Sequence, residues 1–140
     1  MFQLFLKLQK LIVEINIHKT LSLFIAAIWI VNGIFCKVLH LVPRHEQIVA
    51  RILGDEYASV LTILIGFSEL VMALWVLSKF KSRLNAIAQI TIIGLMNTLE
   101  FILVPDLLLW GKLNSFFAFV FILLVFLNEF YFNQTTTQQI

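Results

Sequence analysis

Four apolar stretches, each long enough to cross a lipid bilayer, take up most of this 140-residue chain. They lie at residues 20–42, 57–77, 84–104 and 113–132. A membrane-spanning helix needs about 20 mostly apolar residues, which each stretch supplies. Only 13% of the residues are charged, whereas soluble domains carry about 25%. The sequence therefore predicts an all-α membrane protein with a single domain, a bundle of four transmembrane helices.

Two further segments are amphipathic rather than apolar. In residues 1–19 the polar side chains recur every three or four positions, as expected for one face of a helix; they are Gln3, Lys7, Lys10, Glu14 and His18. We interpret this segment as a helix in the membrane interface, with an extension of the first span as the alternative. Between the first two spans, Pro43 and Gly54 suit the two ends of a short amphipathic helix on the membrane surface.

The basic residues predict how the bundle is oriented. Six lysines and arginines lie at the end that holds both termini and the turn between the second and third spans, and three lie at the other end. Because an excess of Lys and Arg marks the cytoplasmic side, we expect both termini, including a polar tail at residues 133–140, to be cytoplasmic. We expect a bacterial inner membrane protein. A net charge of +2 does not favour a nucleic-acid partner.

Polar and ionisable side chains inside the predicted spans are the main indication of function. A charged group at the centre of a bilayer costs about 2.5–3.5 kcal/mol on insertion scales, so such groups usually face a bundle interior or a cavity. We expect a polar pocket formed by Asn32, Lys37, His40, Glu69, Asn97 and Glu100. Arg44 and His45, on the short amphipathic helix, would lie at its entrance; the alternative is that both are ordinary surface residues.

Two residue spacings predict which helix faces form this pocket. Asn32, Cys36 and His40 are four residues apart, so on an α-helix they share a face. Small and polar residues also recur along one face of the second span, at Thr62, Gly66, Glu69 and Ala73. Small residues allow close helix packing in lipid, so we expect this second face to point into the bundle.

Charge balance leaves two interpretations open. Lys37 can pair with Glu69 or with Glu100, and either pairing leaves one carboxyl group over. An unpaired carboxyl group in a low dielectric favours its neutral form, which can carry a proton beside His40 or donate a hydrogen bond to a ligand carbonyl. Alternatively, the polar groups only join the helices.

The sequence lacks the residues that several kinds of chemistry require. Cys36 is the single cysteine, so the chain has no dithiol of its own. No His, Cys or acidic pair has the spacing of a metal site, so we expect no bound metal. We assign no catalytic residue.

Three sequence motifs, in or directly after the first three spans, together resemble a known family. They are Trp29-x-x-Asn32-Gly33-x-x-x-Lys37-x-x-x-x-Val42-Pro43-Arg44-His45-x-x-Ile48-Val49, Gly66-x-x-Glu69-x-x-x-Ala73-x-Trp75 and Met96-Asn97-x-x-Glu100. The set resembles the DoxX-like family of small four-helix membrane proteins, over about residues 21–132. The resemblance implies a compact four-helix bundle. It also implies a link to redox chemistry, because the wider group includes a subunit of quinone-linked thiosulfate oxidation and components of oxidative-stress complexes.

Three functions follow as hypotheses. In the first, the chain is an accessory or ligand-binding subunit of a quinone-linked redox system, with a quinone or other lipophilic molecule as ligand and a membrane or peripheral redox protein as partner. In the second, it is a lipid- or sterol-like ligand binder or isomerase. In the third, it is a structural assembly subunit without chemistry of its own. Besides the lipid bilayer, a second copy of the chain is a further candidate partner.

Overall fold

The computed structural model describes residues 1–108 and 110–133, and these contain helices and no strands. The helices are α1 (Phe2–Val38), α2 (Pro43–Leu53), α3 (Ala58–Ser78), α4 (Ser82–Leu103) and α5 (Leu113–Asn133). All except α2 are long and apolar enough to cross a membrane. The predicted all-α membrane bundle is therefore confirmed. Nearly all of the predicted tail at residues 133–140 lies outside the described residues.

The first helix is longer than the first predicted span. It runs as an α-helix over Phe2–Ile30 and continues as a π-helix over Val31–Val38. The N-terminal segment is therefore not a separate helix but an extension of the first span, and our preferred interpretation was wrong on this point. No proline or glycine interrupts residues 2–32, and His18 bonds the far end of α5, with its Nδ1 2.9 Å from Asn128 Oδ1. At 1.5 Å per residue, α1 is about 55 Å long.

The short amphipathic helix α2 forms where the sequence predicts it. Pro43 occupies its first turn, and Gly54 ends it with a φ of 102°, a conformation that favours glycine. Its apolar face is turned towards the bundle, since Ile48 and Val49 are each 7% exposed. An exposed ion pair ties α2 to the turn after α4, because Arg51 Nη1 lies 2.6 Å from Asp106 Oδ1. The helix is thus fixed across one end of the bundle.

The bundle core lies nearer to the turn between α3 and α4 than to α2. It contains Ile25, Ala26 and Trp29 of α1, Met72 and Ala73 of α3, Ala86 of α4 and Val125 of α5. Large apolar side chains such as Phe116 and Phe119 of α5 are exposed on the outside, as expected where lipid covers the protein. The core divides the interior into two ends, each with polar side chains.

Candidate functional site: a polar pocket beneath α2

A buried ion pair joins α1 to α3. Lys37 Nζ donates hydrogen bonds to Oε1 of Glu69 at 2.8 Å and to Oε2 at 2.9 Å. Both residues are buried, at 5% and 7% exposure. The lysine therefore satisfies Glu69 rather than Glu100, which decides between the two pairings that the sequence allows.

Two glycines bring these helices into backbone contact. A Cβ atom placed on Gly33 would lie 2.6 Å from the carbonyl oxygen of Gly66, and one on Gly66 would lie 2.8 Å from that of Gly33. No larger residue fits either position without a shift. Thr62 and Ala73, on the same face of α3, are each 1% exposed. The small-residue face points into the bundle as expected, and its close packing brings Lys37 within reach of Glu69.

The π-helical section of α1 changes which residues share a face. Leu39 N donates to Ile34 O, five residues earlier, at 2.9 Å. Asn32 and Lys37, five residues apart, both line one pocket, whereas Cys36 and His40 do not line it. Asn32, Cys36 and His40, which we expected to share a face, therefore do not contribute to this pocket together.

His40 lies outside this pocket. It follows the end of α1 in a left-handed conformation, with a φ of 51°. Its Nδ1 lies 3.2 Å from Oε2 of Glu46 on α2, and both side chains are more than a third exposed. Of the six predicted pocket residues, His40 is thus the one that the structure separates from the others, because the helix ends before it.

The remaining predicted residues line one cavity of about 190 Å³. Its polar lining consists of Asn32, Lys37, His45, Glu69, Asn97 and Glu100. Its apolar wall is made by Trp29, Ile92, Ile93, Met96 and Phe121, with Ile28 and Ala118. We call this cavity the polar pocket. Arg44 does not line it, whereas His45, on the same helix, does.

A second, more apolar space adjoins the polar pocket beneath α2. It has a volume of about 280 Å³ and shares Lys37, His45, Met96 and Glu100 with the pocket. Its other lining residues are Ile48, Val49, Ile52, Leu53, Ile65, Ser68 and Leu99. We call it the α2 groove. Together the two spaces are polar at one end and aliphatic at the other.

Glu100 lies where the pocket and the groove meet. It lines both spaces. Within the described part of the chain, no side chain donates a hydrogen bond or forms an ion pair with its carboxyl group. Because Lys37 is taken by Glu69, Glu100 is the acid in this site that is free to bond a ligand.

His45 contributes an imidazole that remains neutral. Its pKa is lowered from the ordinary 6.5 to about 4, mainly because the half-buried ring loses solvation, and further because Lys37 and Arg44 are positively charged. A neutral imidazole has one donor and one acceptor nitrogen. At physiological pH the site therefore presents an uncharged histidine beside the Glu100 carboxyl group.

The sequence did not predict a second cavity at the opposite end of the bundle. Its volume is about 280 Å³, and its polar lining comprises His18, Ser22, Lys79, Ser82, Asn85, Gln89, Asn128, Glu129 and Asn133. Three of these, Asn128, Glu129 and Asn133, come from the last turns of α5. The sequence feature that could have indicated this cavity is Asn128–Glu129, two polar residues within an apolar stretch.

The described residues offer no cluster suited to a metal ion. Across residues 1–108 and 110–133, no three His, Cys, Asp or Glu side chains come together in the way that a metal site requires. Cys36 is a free, half-buried thiol. The carboxyl, amide and imidazole groups of the site can form hydrogen bonds and exchange protons.

Comparison with known proteins identifies a family. The model of the DoxX-like family matches residues 26–127, a range that contains every residue lining the polar pocket. No curated protein and no solved structure gave a significant match.

Proposed function

The chain belongs to the DoxX-like family of membrane proteins, and from this premise we propose that it binds one lipophilic ligand with a polar ring, of the quinone class, as a subunit of a membrane redox system. The ring would occupy the polar pocket and the tail would lie in the α2 groove. The observation that carries this proposal is that the two spaces share part of their lining, including Glu100, whose carboxyl group has no side-chain partner among the described residues.

The chemistry of the pocket suits a ring that bears carbonyl groups. Asn32 and Asn97 offer amide donors, and a protonated Glu100 offers a hydroxyl donor. Trp29 and Phe121 form an aromatic wall, with ring centroids 6.2 Å apart. Aromatic faces favour stacked or tilted contacts with a planar ring. The groove residues Ile48 and Ile52 provide an aliphatic surface suited to an isoprenoid tail.

The redox role would depend on a partner protein. The single cysteine leaves this chain without a dithiol, and its described residues offer no metal cluster. Electrons would therefore come from another subunit, while this chain positions the ligand and exchanges protons with it. Transfer of a proton from Glu100 to the ligand would neutralise the negative charge that the ligand gains as it accepts electrons.

Solvent extraction of the purified protein tests the proposal. We expect a quinone to co-purify in a mild detergent and to be identified by mass spectrometry. Glu100→Gln, which keeps the shape but removes the acid, and Asn97→Leu should both lose it. Glu129→Gln is the matched control, since this buried acid lines the opposite cavity. Recovery of equal amounts of quinone from Glu100→Gln and the wild type would contradict the assignment.

A structural role is the second candidate function. It is favoured by the direct Lys37–Glu69 contact, which satisfies both charges without a ligand, and by the tight Gly33–Gly66 packing. Under this alternative, Glu100→Gln would change neither the bound lipophile nor the recovery of partner proteins, and Glu69→Gln would reduce the amount of folded protein.

A sterol-like ligand is the remaining alternative to a quinone. The mass of the molecule extracted from the purified protein would distinguish the two.

We also propose that both termini are cytoplasmic, in a bacterial inner membrane. The turn between α3 and α4, with the first turn of α4, carries Lys79, Lys81 and Arg83. The α2 end carries Arg44, Arg51 and Lys112, beside the acids Glu46 and Asp106. This distribution supports the orientation through the positive-inside rule. A C-terminal fusion to a reporter that is active only in the periplasm should remain inactive, while an insertion after Gly54 should activate it.

A further inference from the structure

The polar pocket and the second cavity enter the bundle from opposite ends. On each long helix the residues that line the two spaces lie towards opposite ends, as with Ser22 and Asn32 on α1 and with Asn85 and Asn97 on α4. The second cavity is lined largely by polar groups and has room for several water molecules, so it should be hydrated. The pocket is polar around Lys37 and Glu69. The protein is therefore entered by polar spaces from both sides.

A hydrogen-bonded pair separates the two spaces. Trp29 lines the pocket and Gln89 lines the second cavity. Trp29 Nε1 donates to Gln89 Oε1 at 2.8 Å, and both residues are buried, at 6% and 3% exposure. The partition between the cavities therefore includes an indole ring and an amide group that bond each other across α1 and α4.

A second hydrogen bond holds this partition in its closed arrangement. Gln89 Nε2 donates to Asn85 Oδ1 at 2.7 Å, so the amide oxygen of Gln89 is turned towards the indole. On its other side Trp29 packs against Phe121, which also lines the pocket. A ligand entering the pocket would contact the same indole ring. Movement of either side chain, Trp29 or Gln89, would break this hydrogen bond and open the partition at that point.

We propose that the Trp29–Gln89 pair is a gate, and that the protein has a further activity, the controlled passage of water and protons between the two sides. Titratable groups lie on both sides of the gate. His18, Lys79 and Glu129 face the second cavity, and Lys37, His45, Glu69 and Glu100 face the pocket. Between them lie the uncharged Asn85, Gln89 and Trp29, so protons would cross on water once the pair separates. The proposal does not depend on the identity of the ligand.

Proton flux into liposomes tests the gate directly. Purified protein is reconstituted into vesicles that contain a pH-sensitive dye, and a potassium gradient with valinomycin drives proton entry. Wild-type vesicles should acidify little faster than protein-free ones. Trp29→Ala and Gln89→Ala should each raise the rate by roughly ten-fold or more, because either change opens the partition. Thr62→Val is the matched control: this buried threonine bonds Ala58 O and lines neither cavity.

Two results would overturn the proposal. One is that folded Trp29→Ala and Gln89→Ala proteins conduct no faster than the wild type. The other is that Thr62→Val conducts as fast as they do, which would mark a general leak.

A labelling experiment gives an answer even if the gate variants do not fold. In a Cys36→Ser background, Ser22→Cys and Asn32→Cys each place one thiol in one cavity. A charged, membrane-impermeant thiol reagent is then added to one side of sealed vesicles at a time. We expect each thiol to react from one side, and the two to react from opposite sides. Protection of Ser22→Cys from both sides, or reaction of both thiols from the same side, would contradict two hydrated spaces separated by a partition.

Discussion

Lys37 and Glu69 form a two-pronged ion pair inside the bundle, with Nζ 2.8 Å and 2.9 Å from the two carboxylate oxygens. The pair lies beside the Gly33–Gly66 contact, where the backbones of α1 and α3 touch. Each charge is stable in this position because the other is present. The ion pair and the glycine contact therefore depend on each other, and a substitution that disrupts one should also weaken the other.

Removing one partner of this pair should be strongly destabilising. Glu69→Leu leaves Lys37 buried without a counter-charge, which typically costs about 3–5 kcal/mol. The double variant Lys37→Met/Glu69→Leu should recover much of that loss, since no charge remains buried. The free energy of unfolding, measured by denaturant titration in mixed micelles, checks both expectations. A Glu69→Leu protein as stable as the wild type would mean that Lys37 reaches water.

The glycine contact makes a second prediction about stability. Gly33→Ala and Gly66→Ala should each lower the free energy of unfolding by about 1–3 kcal/mol, because a methyl group at either position meets a carbonyl oxygen of the facing helix. Gly94→Ala is the matched control, since the nearest atom to its new methyl group is Ile122 Cδ1 at 4.0 Å. This change should be neutral or stabilise by up to about 1 kcal/mol. Equal effects at all three glycines would exclude close packing as the cause.

The fold was largely predictable because its signals are local. The spans predicted at 57–77 and 84–104 correspond to Ala58–Ser78 and Ser82–Leu103. Length and apolar composition determine such segments, and Pro43 and Gly54 mark the ends of α2 in the sequence itself. The continuous α1 was only our alternative interpretation, because the contact that His18 makes with the end of α5 is not visible in the local sequence. That contact joins residues 110 positions apart, as between His18 and Asn128.

Five of the six side chains that we expected to share a pocket line one cavity, but the geometry of that cavity was not predictable. Polar and charged groups within apolar spans usually face inward, which was enough to select Glu69, Asn97 and Glu100. The π-helical section that contains Asn32 and Lys37 was not predicted, because no local pattern in the sequence indicates it. The Trp29–Gln89 bond was missed for a similar reason, since it joins two helices 60 residues apart in the chain.

The exposed Arg51–Asp106 pair should control how firmly α2 covers the groove. The Arg51 guanidinium holds the pKa of Asp106 below its ordinary value through a hydrogen bond, so the pair persists at neutral and mildly acidic pH. Asp106→Asn should speed the hydrogen exchange of α2 amides several-fold while leaving the thermal midpoint nearly unchanged, because exposed ion pairs add little to stability. Asp55→Asn, an exposed change in the α2–α3 loop, is the control. Unchanged exchange in Asp106→Asn would show that Ile48 and Val49 alone fix α2.

His45 should make stability depend on pH in mildly acid solution. Its pKa is about 4 in the folded protein, against an ordinary 6.5. Between these values the unfolded chain binds a proton that the folded protein does not, so the free energy of unfolding should fall as the pH drops from about 6.5 towards 4. Histidine side-chain NMR should show a neutral His45 ring at about pH 5.5, and His45→Gln should flatten that part of the stability curve. Arg44→Gln should raise the pKa of His45, because it removes a neighbouring positive charge. A folded-state titration of His45 near 6.5 would contradict its desolvation beneath α2.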